Sequence, residues 1–112
     1  MSEQPTAPST AQWREVSHVD DLWEGDMEGF EVDGEKVLLV NVSGEVRAYR
    51  NVCPHQASPL DEGDFDGDTI TCARHLWVFD ARSGGGVNPE NSQLHVFPCQ
   101  VRASGEIIVD TG

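Results

Sequence analysis

Two short motifs, each with one cysteine and one histidine, constrain the fold of this chain more than any other feature. They are Cys53-Pro54-His55 and Cys72-Ala73-Arg74-His75, with residues 56–71 between them. Pro54 and Pro59 break regular structure in the first motif, and predicted strands flank the second. Both motifs are therefore predicted to lie in loops. If their side chains bind one centre, the fold must bring two loops to the same tip.

Two thiolates and two imidazoles suit a [2Fe-2S] cluster in which Cys53 and Cys72 hold one iron while His55 and His75 hold the other. An all-cysteine ferredoxin needs four cysteines, whereas this chain has three, and no C-x-x-C-H haem motif occurs. A structural zinc site is the remaining rival, although its usual motifs pair cysteine with cysteine and histidine with histidine. We therefore predict one [2Fe-2S] cluster on these four residues.

The remaining cysteine and histidines have no companion ligands in the sequence. Cys99 is interpreted as a small buried hydrophobic residue, and His18 and His95 as ordinary surface or packing residues. An odd number of cysteines leaves at least one unpaired, so disulfides are not expected.

Short apolar runs separated by turn residues predict an all-β fold, an antiparallel β-sandwich. Residues 37–42 are apolar and rich in valine, and Ser43-Gly44 and the alternating residues 46–49 follow, which predicts a β-hairpin. Further strands are predicted at Thr69–Thr71, 76–79, 94–102 and Glu106–Asp110, the last two forming a second hairpin.

Helical periodicity is confined to residues 19–23, where a turn or two capped by Ser17 is predicted. Pro98 interrupts the predicted strand 94–102, which should therefore lie at a sheet edge or contain a bulge. Residues 1–12 are rich in Ser, Thr and Pro and are predicted to be a flexible tail, so residues 13–112 form the single domain.

The chain is strongly acidic, with twenty acidic and seven basic residues and a formal charge of -13. Such a charge repels nucleic acid and favours protein partners with a basic docking face, although acidity can also serve solubility alone. No secretory signal or apolar stretch of about 20 residues occurs, so we expect a cytoplasmic protein with no membrane segment. We also expect the protein to be a monomer.

Three aspartates between the motifs, Asp64, Asp66 and Asp68, resemble the start of a calcium-binding loop. The sixth position of that pattern is Thr69 rather than glycine, and the twelfth is His75 rather than glutamate. Calcium is therefore not predicted, and these acids are interpreted as part of a solvated face.

The order C-P-H-Q, then C-x-x-H-L-W, then Gly84-Gly85-Gly86 and Asn88-Pro89 resembles the Rieske ferredoxins of bacterial multicomponent oxygenases. The similarity extends over about residues 13–109 and is greatest to the ferredoxins of toluene, alkene and isoprene diiron monooxygenases. It implies a Rieske-type sandwich with both ligand loops at one tip, and a one-electron carrier rather than an enzyme. In that family a flavin and iron–sulfur reductase that uses NADH supplies the electrons, and a diiron hydroxylase receives them.

Two other functions within this resemblance remain open. Aromatic-ring dioxygenase systems use similar ferredoxins, and a Rieske small subunit also occurs in enzyme complexes such as nitrite reductase. Within the resemblance, Gly84-Gly85-Gly86 and Pro89 correspond to a third loop that shields the cluster, with a plain flexible connection as the alternative.

Compared with respiratory Rieske domains, the chain lacks two features of the ligand loops. Ser58 and Arg74 stand where those domains have two cysteines that form a disulfide, which agrees with a reducing compartment. Trp77 and Phe79 stand where they have hydroxyl donors, which implies a potential in the lower part of the Rieske range. Trp77 itself is expected to pack under the cluster loop, with a place on the docking face as the alternative.

Overall fold

The computed structural model describes most of the chain as strands joined by short turns. The described residues are 13–54, 59–73, 77–88, 90 and 92–111. Residues 1–12, His55, Ser58, Arg74, His75 and Pro89, which carry several of the predictions above, lie outside them. The strands are β1 (Trp13–His18), β2 (Met27–Val32), β3 (Glu35–Val42), β4 (Glu45–Arg50), β5 (Asp64–Phe65), β6 (Thr69–Thr71), β7 (Val78–Asp80), β8 (Gly86–Asn88), β9 (Val96–Phe97), β10 (Cys99–Val101) and β11 (Glu106–Asp110).

These strands form three sheets in which every described pairing is antiparallel. The first has the order β1-β11-β10, the second β2-β3-β4-β9 and the third β5-β6-β7-β8. Two single-turn 3₁₀ helices, Val19–Asp21 and Leu60–Glu62, complete the regular structure of the described residues. The predicted all-β antiparallel class is confirmed. No helix in this part of the chain is long and apolar enough to cross a bilayer.

The second sheet lies between two separate hydrophobic cores, because β3 is buried on both of its faces. Leu38, Val40 and Val42 face a core that also contains Cys53, Cys72 and residues of the third sheet, which we call the cysteine core. Val37 and Leu39 face a second core shared with the first sheet. Successive side chains of a strand point to opposite faces. The unbroken apolar run of β3 therefore serves two interfaces at once.

Two tight turns connect β2, β3 and β4. Ser43 and Gly44 both have positive φ, 54° and 95°, as a two-residue hairpin turn of type I′ requires. The predicted β3–β4 hairpin is therefore confirmed. Asp33 and Gly34, with φ of 51° and 84°, form the same kind of turn between β2 and β3. This turn and the strand before it were not predicted from the sequence.

The strand predicted at 94–102 is wrong as a single element, because Pro98 divides it between two sheets. Before the proline, β9 pairs with β4 in the second sheet, and after it β10 pairs with β11 in the first. Both strands lie at sheet edges, as the proline suggested. The Pro98 carbonyl accepts a hydrogen bond from the Asp110 amide at 3.0 Å. Proline has no amide hydrogen to donate to a sheet, so the chain changes sheet there.

The predicted helical turn is shorter than expected and has a different cap. It spans Val19–Asp21, and its N-cap is His18 rather than Ser17. The Nδ1 atom of His18 accepts a hydrogen bond from the Asp20 amide at 3.1 Å, and Nε2 lies 2.9 Å from the Ser104 carbonyl oxygen. The imidazole nitrogen therefore accepts the N-capping hydrogen bond that a serine hydroxyl usually accepts.

Candidate metal centre

Two of the four predicted ligands lie in the described residues, and the fold brings them together. Cys53 and Cys72 are both 0% exposed and belong to the same cysteine core, although they follow strands of different sheets. Neither forms a disulfide with another described cysteine. His55 and His75 are outside the described residues, and within those residues no group of three or more His, Cys, Asp or Glu side chains could hold a metal.

The first loop follows β4 and is held at its start by the backbone amide and at its end by the buried side chain of Asn51. At the start of the loop, the Asn51 amide donates to the Lys36 carbonyl at 2.9 Å. At the end of the loop, the Asn51 Oδ1 atom accepts from the Asp61 amide at 2.9 Å. One residue therefore closes the segment that contains Cys53. Nothing in the residue pattern indicated this role for Asn51.

The second loop joins β6 to β7 and is closed by a backbone hydrogen bond. The Cys72 amide donates to the Trp77 carbonyl at 2.8 Å. The Trp77 side chain is half-buried and packs against the cysteine core, with its ring centroid 6.4 Å from that of Phe79. The expected packing of Trp77 against this core is therefore confirmed.

Gly63 brings the end of the first loop against the start of the second. A Cβ atom at this position would lie 1.9 Å from the Thr71 carbonyl oxygen and 3.0 Å from the Ala73 amide nitrogen. Thr71 and Ala73 are the two neighbours of Cys72, so no larger residue fits without displacing this cysteine. The side chain of nearby Leu60 is fully buried in the cysteine core. The role of Gly63 was not predicted, because the contact joins residues distant in the sequence.

The glycine-rich segment is ordered by hydrogen bonds along its described length. The Gly84 amide donates to the Asp80 carbonyl at 2.7 Å, and the Gly84 carbonyl accepts from the Leu94 amide at 2.8 Å. Gly86–Asn88 then forms the strand β8. The alternative of a plain flexible connection is wrong for residues 84–88. A Cβ on Gly84 would lie 2.8 Å from the Tyr49 ring, so this glycine permits a close approach.

Tyr49, in strand β4 of the second sheet, provides the ring that contacts Gly84. Its hydroxyl donates to the Ala81 carbonyl oxygen at 2.6 Å, and its side chain is fully buried in the cysteine core. Burial raises the pKa of Tyr49 to about 12. The hydroxyl therefore remains a hydrogen-bond donor at every physiological pH.

The aspartates between the two loops form a hairpin turn from β5 to β6. The Asp66 carboxylate accepts hydrogen bonds from the amides of Asp68 and Thr69 and from the Thr69 hydroxyl. These bonds favour the charged form and lower the pKa of Asp66. The Asp66 carboxylate therefore stabilises the turn itself.

The other cysteine and the other histidines lie apart from the cysteine core. Cys99 belongs to β10 and packs, half-buried, against the second core, where burial raises the pKa of its thiol to about 11. His95 packs edge-on against Phe97, with ring centroids 4.9 Å apart. His18 caps a 3₁₀ helix, as described above.

The donor set near the two loops fits the thiolate half of a mixed-ligand iron–sulfur site. Two cysteines from separate loops share one apolar core, and each lies two or three residues before a histidine in the sequence. An apolar shell that excludes water is typical around such centres. The described residues therefore agree with the chemistry predicted from the two motifs.

Comparison with known proteins identifies the family to which this chain belongs. Residues 12–98 match the Rieske [2Fe-2S] domain family. The chain is 40% identical over 101 residues to the ferredoxin component of the alkene monooxygenase system of Xanthobacter autotrophicus, which covers 89% of this chain and 82% of that protein. Among solved structures, the ferredoxin of carbazole 1,9a-dioxygenase from Nocardioides aromaticivorans IC177 is 31% identical, with a TM-score of 0.78 and coverage of 88% of this chain and 96% of its own.

A second solved structure contains a ferredoxin bound to its partner. It is a complex of reduced oxygenase and oxidized ferredoxin in carbazole 1,9a-dioxygenase, with 27% identity and a TM-score of 0.79. The match covers 88% of this chain and 92% of that chain.

Proposed function

This chain belongs to the Rieske [2Fe-2S] domain family, and we propose that it is the one-electron carrier of an oxygenase system. Its single cluster, which accepts and releases one electron when bound, would be held by Cys53 and Cys72 on one iron and by His55 and His75 on the other. The observation that carries the proposal is that two fully buried cysteines from separate loops, Cys53 and Cys72, belong to one core. The chain transfers electrons and is not itself the catalyst.

The residues around the two cysteines have separate tasks in this proposal. The apolar side chains of the cysteine core exclude water from the thiolates. Asn51 closes the first loop, and Gly63 lets the end of this loop lie directly against the second loop. The histidines would lie on the outer side of the site, where the second ring nitrogen of each can face a partner protein.

We expect a reduction potential in the lower part of the Rieske range of roughly -150 to +300 mV. Hydrogen bonds to cluster sulfur raise the potential, and the residues after the second loop offer few donors. The Cys72 amide is already bonded to the Trp77 carbonyl. Neither Trp77 nor Phe79 has a hydroxyl group. A midpoint well above about +100 mV, measured by redox titration, contradicts this reasoning.

The partners we propose are a flavin and iron–sulfur reductase that uses NADH and the diiron hydroxylase of a hydrocarbon monooxygenase. The 40% identity to an alkene monooxygenase ferredoxin favours this system. A ferredoxin of an aromatic-ring dioxygenase is the second candidate, favoured by the structural similarity to a carbazole dioxygenase ferredoxin. The charge of -13 suits a basic docking face on either oxygenase. We propose the cytoplasm as its location, since a reducing compartment preserves free thiols.

The ligand assignment is tested by comparing predicted ligands with the other cysteine and histidine residues of the same chain. After anaerobic purification, Cys53→Ala, Cys72→Ala, His55→Ala and His75→Ala should lose iron, visible colour and the rhombic paramagnetic resonance signal of the reduced protein. The matched controls Cys99→Ala and His95→Ala should keep all three. A colourless wild-type protein with stoichiometric zinc, or a control variant without iron, overturns the assignment.

The choice between oxygenases is tested by reconstitution. The dithionite-reduced carrier is mixed with a diiron hydroxylase or with a Rieske dioxygenase, and its reoxidation is followed in a stopped-flow spectrometer. We expect turnover with the diiron hydroxylase and much slower transfer to the dioxygenase. The reverse order assigns the chain to the second candidate. Gel filtration of the carrier alone tests the expected monomer.

A further inference from the structure

Trp23 is a large apolar side chain that the fold holds in an exposed position. It is 70% exposed, more than any other large hydrophobic residue described. Its indole Nε1–H donates to the Asp20 carbonyl at 2.8 Å, and its amide donates to the Asp26 carboxylate at 2.9 Å. The preceding residue, Leu22, is buried in the second core. The indole is thus fixed at its polar edge while its face remains open to solvent.

The side chains around Trp23 are acidic. Asp20, Asp21, Glu24 and Asp26 are all exposed, and no lysine or arginine occurs between residues 15 and 35. Arginine pairs with carboxylates outside this loop, at Asp33, Glu35, Glu45 and Asp68. Within the loop, the Asp20 carboxylate lies 3.4 Å from the Nδ1 atom of His18. The exposed indole therefore lies in a field of negative charge.

This surface lies away from the end of the second sheet where Cys53 follows β4. The Gly25 amide donates to the Asn41 carbonyl, and the Asn41 amide donates to the Asp26 carbonyl, at 2.9 and 3.0 Å. Asn41 is near the turn of the β3–β4 hairpin, whereas Arg50, which precedes the first loop, pairs with Val37. Asn41 lies four positions along β3 from Val37, or about 13 Å away. A protein bound at Trp23 need not cover the cysteine loops.

We propose that Trp23 with Asp20, Asp21, Glu24 and Asp26 forms a second docking surface, which binds an arginine side chain on a protein partner. A guanidinium group stacks on an indole face and at the same time donates hydrogen bonds to carboxylates. Arginine is the best match because its planar cation satisfies both features of the surface. The proposal does not depend on the cluster or its ligands. Its consequence is that the carrier can stay attached to a partner while its cysteine loops remain accessible.

A peptide of six arginines, with blocked ends and no aromatic residues, is a suitable probe. The folded holoprotein is labelled with ¹⁵N, and its amide and indole signals are followed by NMR during titration with the peptide. We expect the largest shifts at the Trp23 indole and at the amides of residues 20–26. A six-lysine peptide of equal charge should bind more weakly there, because its ammonium groups do not stack as a plane.

Variants separate stacking from simple charge attraction. Trp23→Ala should weaken binding of the arginine peptide by about threefold or more, whereas Trp23→Phe should restore part of the loss. Val101→Ala is the matched control, since Val101 is 46% exposed on the edge strand β10, and it should bind as the wild type does. Shifts spread evenly over distant acidic residues such as Asp61 and Glu62, or equal affinities of Trp23→Ala and Val101→Ala, overturn the proposal.

Discussion

Replacing Gly63 by alanine should displace the second cysteine loop and release the cluster. The new Cβ would lie 1.9 Å from the Thr71 carbonyl oxygen, so the two backbone segments must separate by about 1 Å to reach even a tight contact. The clash is with backbone and not with the end of a flexible side chain, so rotamer changes cannot relieve it. Overpacking usually costs 1–3 kcal/mol, and we expect about 3 kcal/mol or more here.

That loss is large compared with the total stability of a domain, about 5–15 kcal/mol. In urea, it should lower the unfolding midpoint by about 1–3 M, and in a thermal scan it should lower Tm by about 12 °C. Because Thr71 directly precedes Cys72, the iron content of purified Gly63→Ala should fall as well. Both quantities are measured on the same preparation, by urea denaturation followed by circular dichroism and by iron analysis.

Gly85→Ala is the matched control for this substitution. Gly85 has no positive φ, and a Cβ there would be 3.3 Å from the Ser83 hydroxyl oxygen and 3.6 Å from the Gln93 side chain, both of which can yield. This variant should unfold close to the wild type and keep its iron. If Gly63→Ala behaves like Gly85→Ala in both measurements, backbone contact between the loops does not position Cys72.

Three further perturbations follow from individual contacts. Asn51→Ala leaves the Asp61 amide without its side-chain acceptor, so it should cost about 1–3 kcal/mol in thermal unfolding and speed iron loss to a chelator; unchanged values would refute the link between the loop ends. Tyr49 is the single tyrosine of the chain, and its pKa is raised to about 12. Its contribution to the free energy of unfolding should therefore be complete below about pH 10 and disappear as the pH rises toward 12. An ultraviolet titration that shows ordinary ionisation near pH 10 would disprove this. The pKa of Asp66 is lowered, so its contribution to the free energy of unfolding should be present above about pH 4 and be lost on further acidification. Asp66→Ala should flatten this part of the profile of stability against pH. A variant profile identical to that of the wild type would contradict this role of Asp66.

Local sequence signals were reliable where a structure depends on neighbouring residues. The β3–β4 hairpin was predicted because Ser43-Gly44 can adopt positive φ between two apolar runs, and the structure has this turn. The β10–β11 hairpin was predicted for the same reason. By contrast, β1 and β2 were not predicted. The sequence of β2 includes two glutamates and a glycine, which are uncommon in strands. This edge strand is stabilised by its pairing with β3 rather than by its own residue pattern.

The same distinction applies to the candidate site. The Cys53 and Cys72 motifs could be identified from residue type and spacing alone, because the chemistry of a mixed thiolate and imidazole site restricts both. The contributions of Asn51 and Gly63 could not, since each acts through a contact with a residue that lies ten or eight positions further along the chain. An asparagine or a glycine in a loop has many ordinary explanations, and only the packed structure selects one of them.

The sequence by itself determined the β class, the hairpin turns and the two cysteine–histidine motifs, because each depends on the conformational or chemical preference of a few adjacent residues. Only the tertiary structure decided that β3 is buried on both faces, that Pro98 passes the chain from one sheet to another, and that the two cysteines share one core. These features depend on which distant surfaces exclude water from each other, and that is a property of the whole fold rather than of any segment.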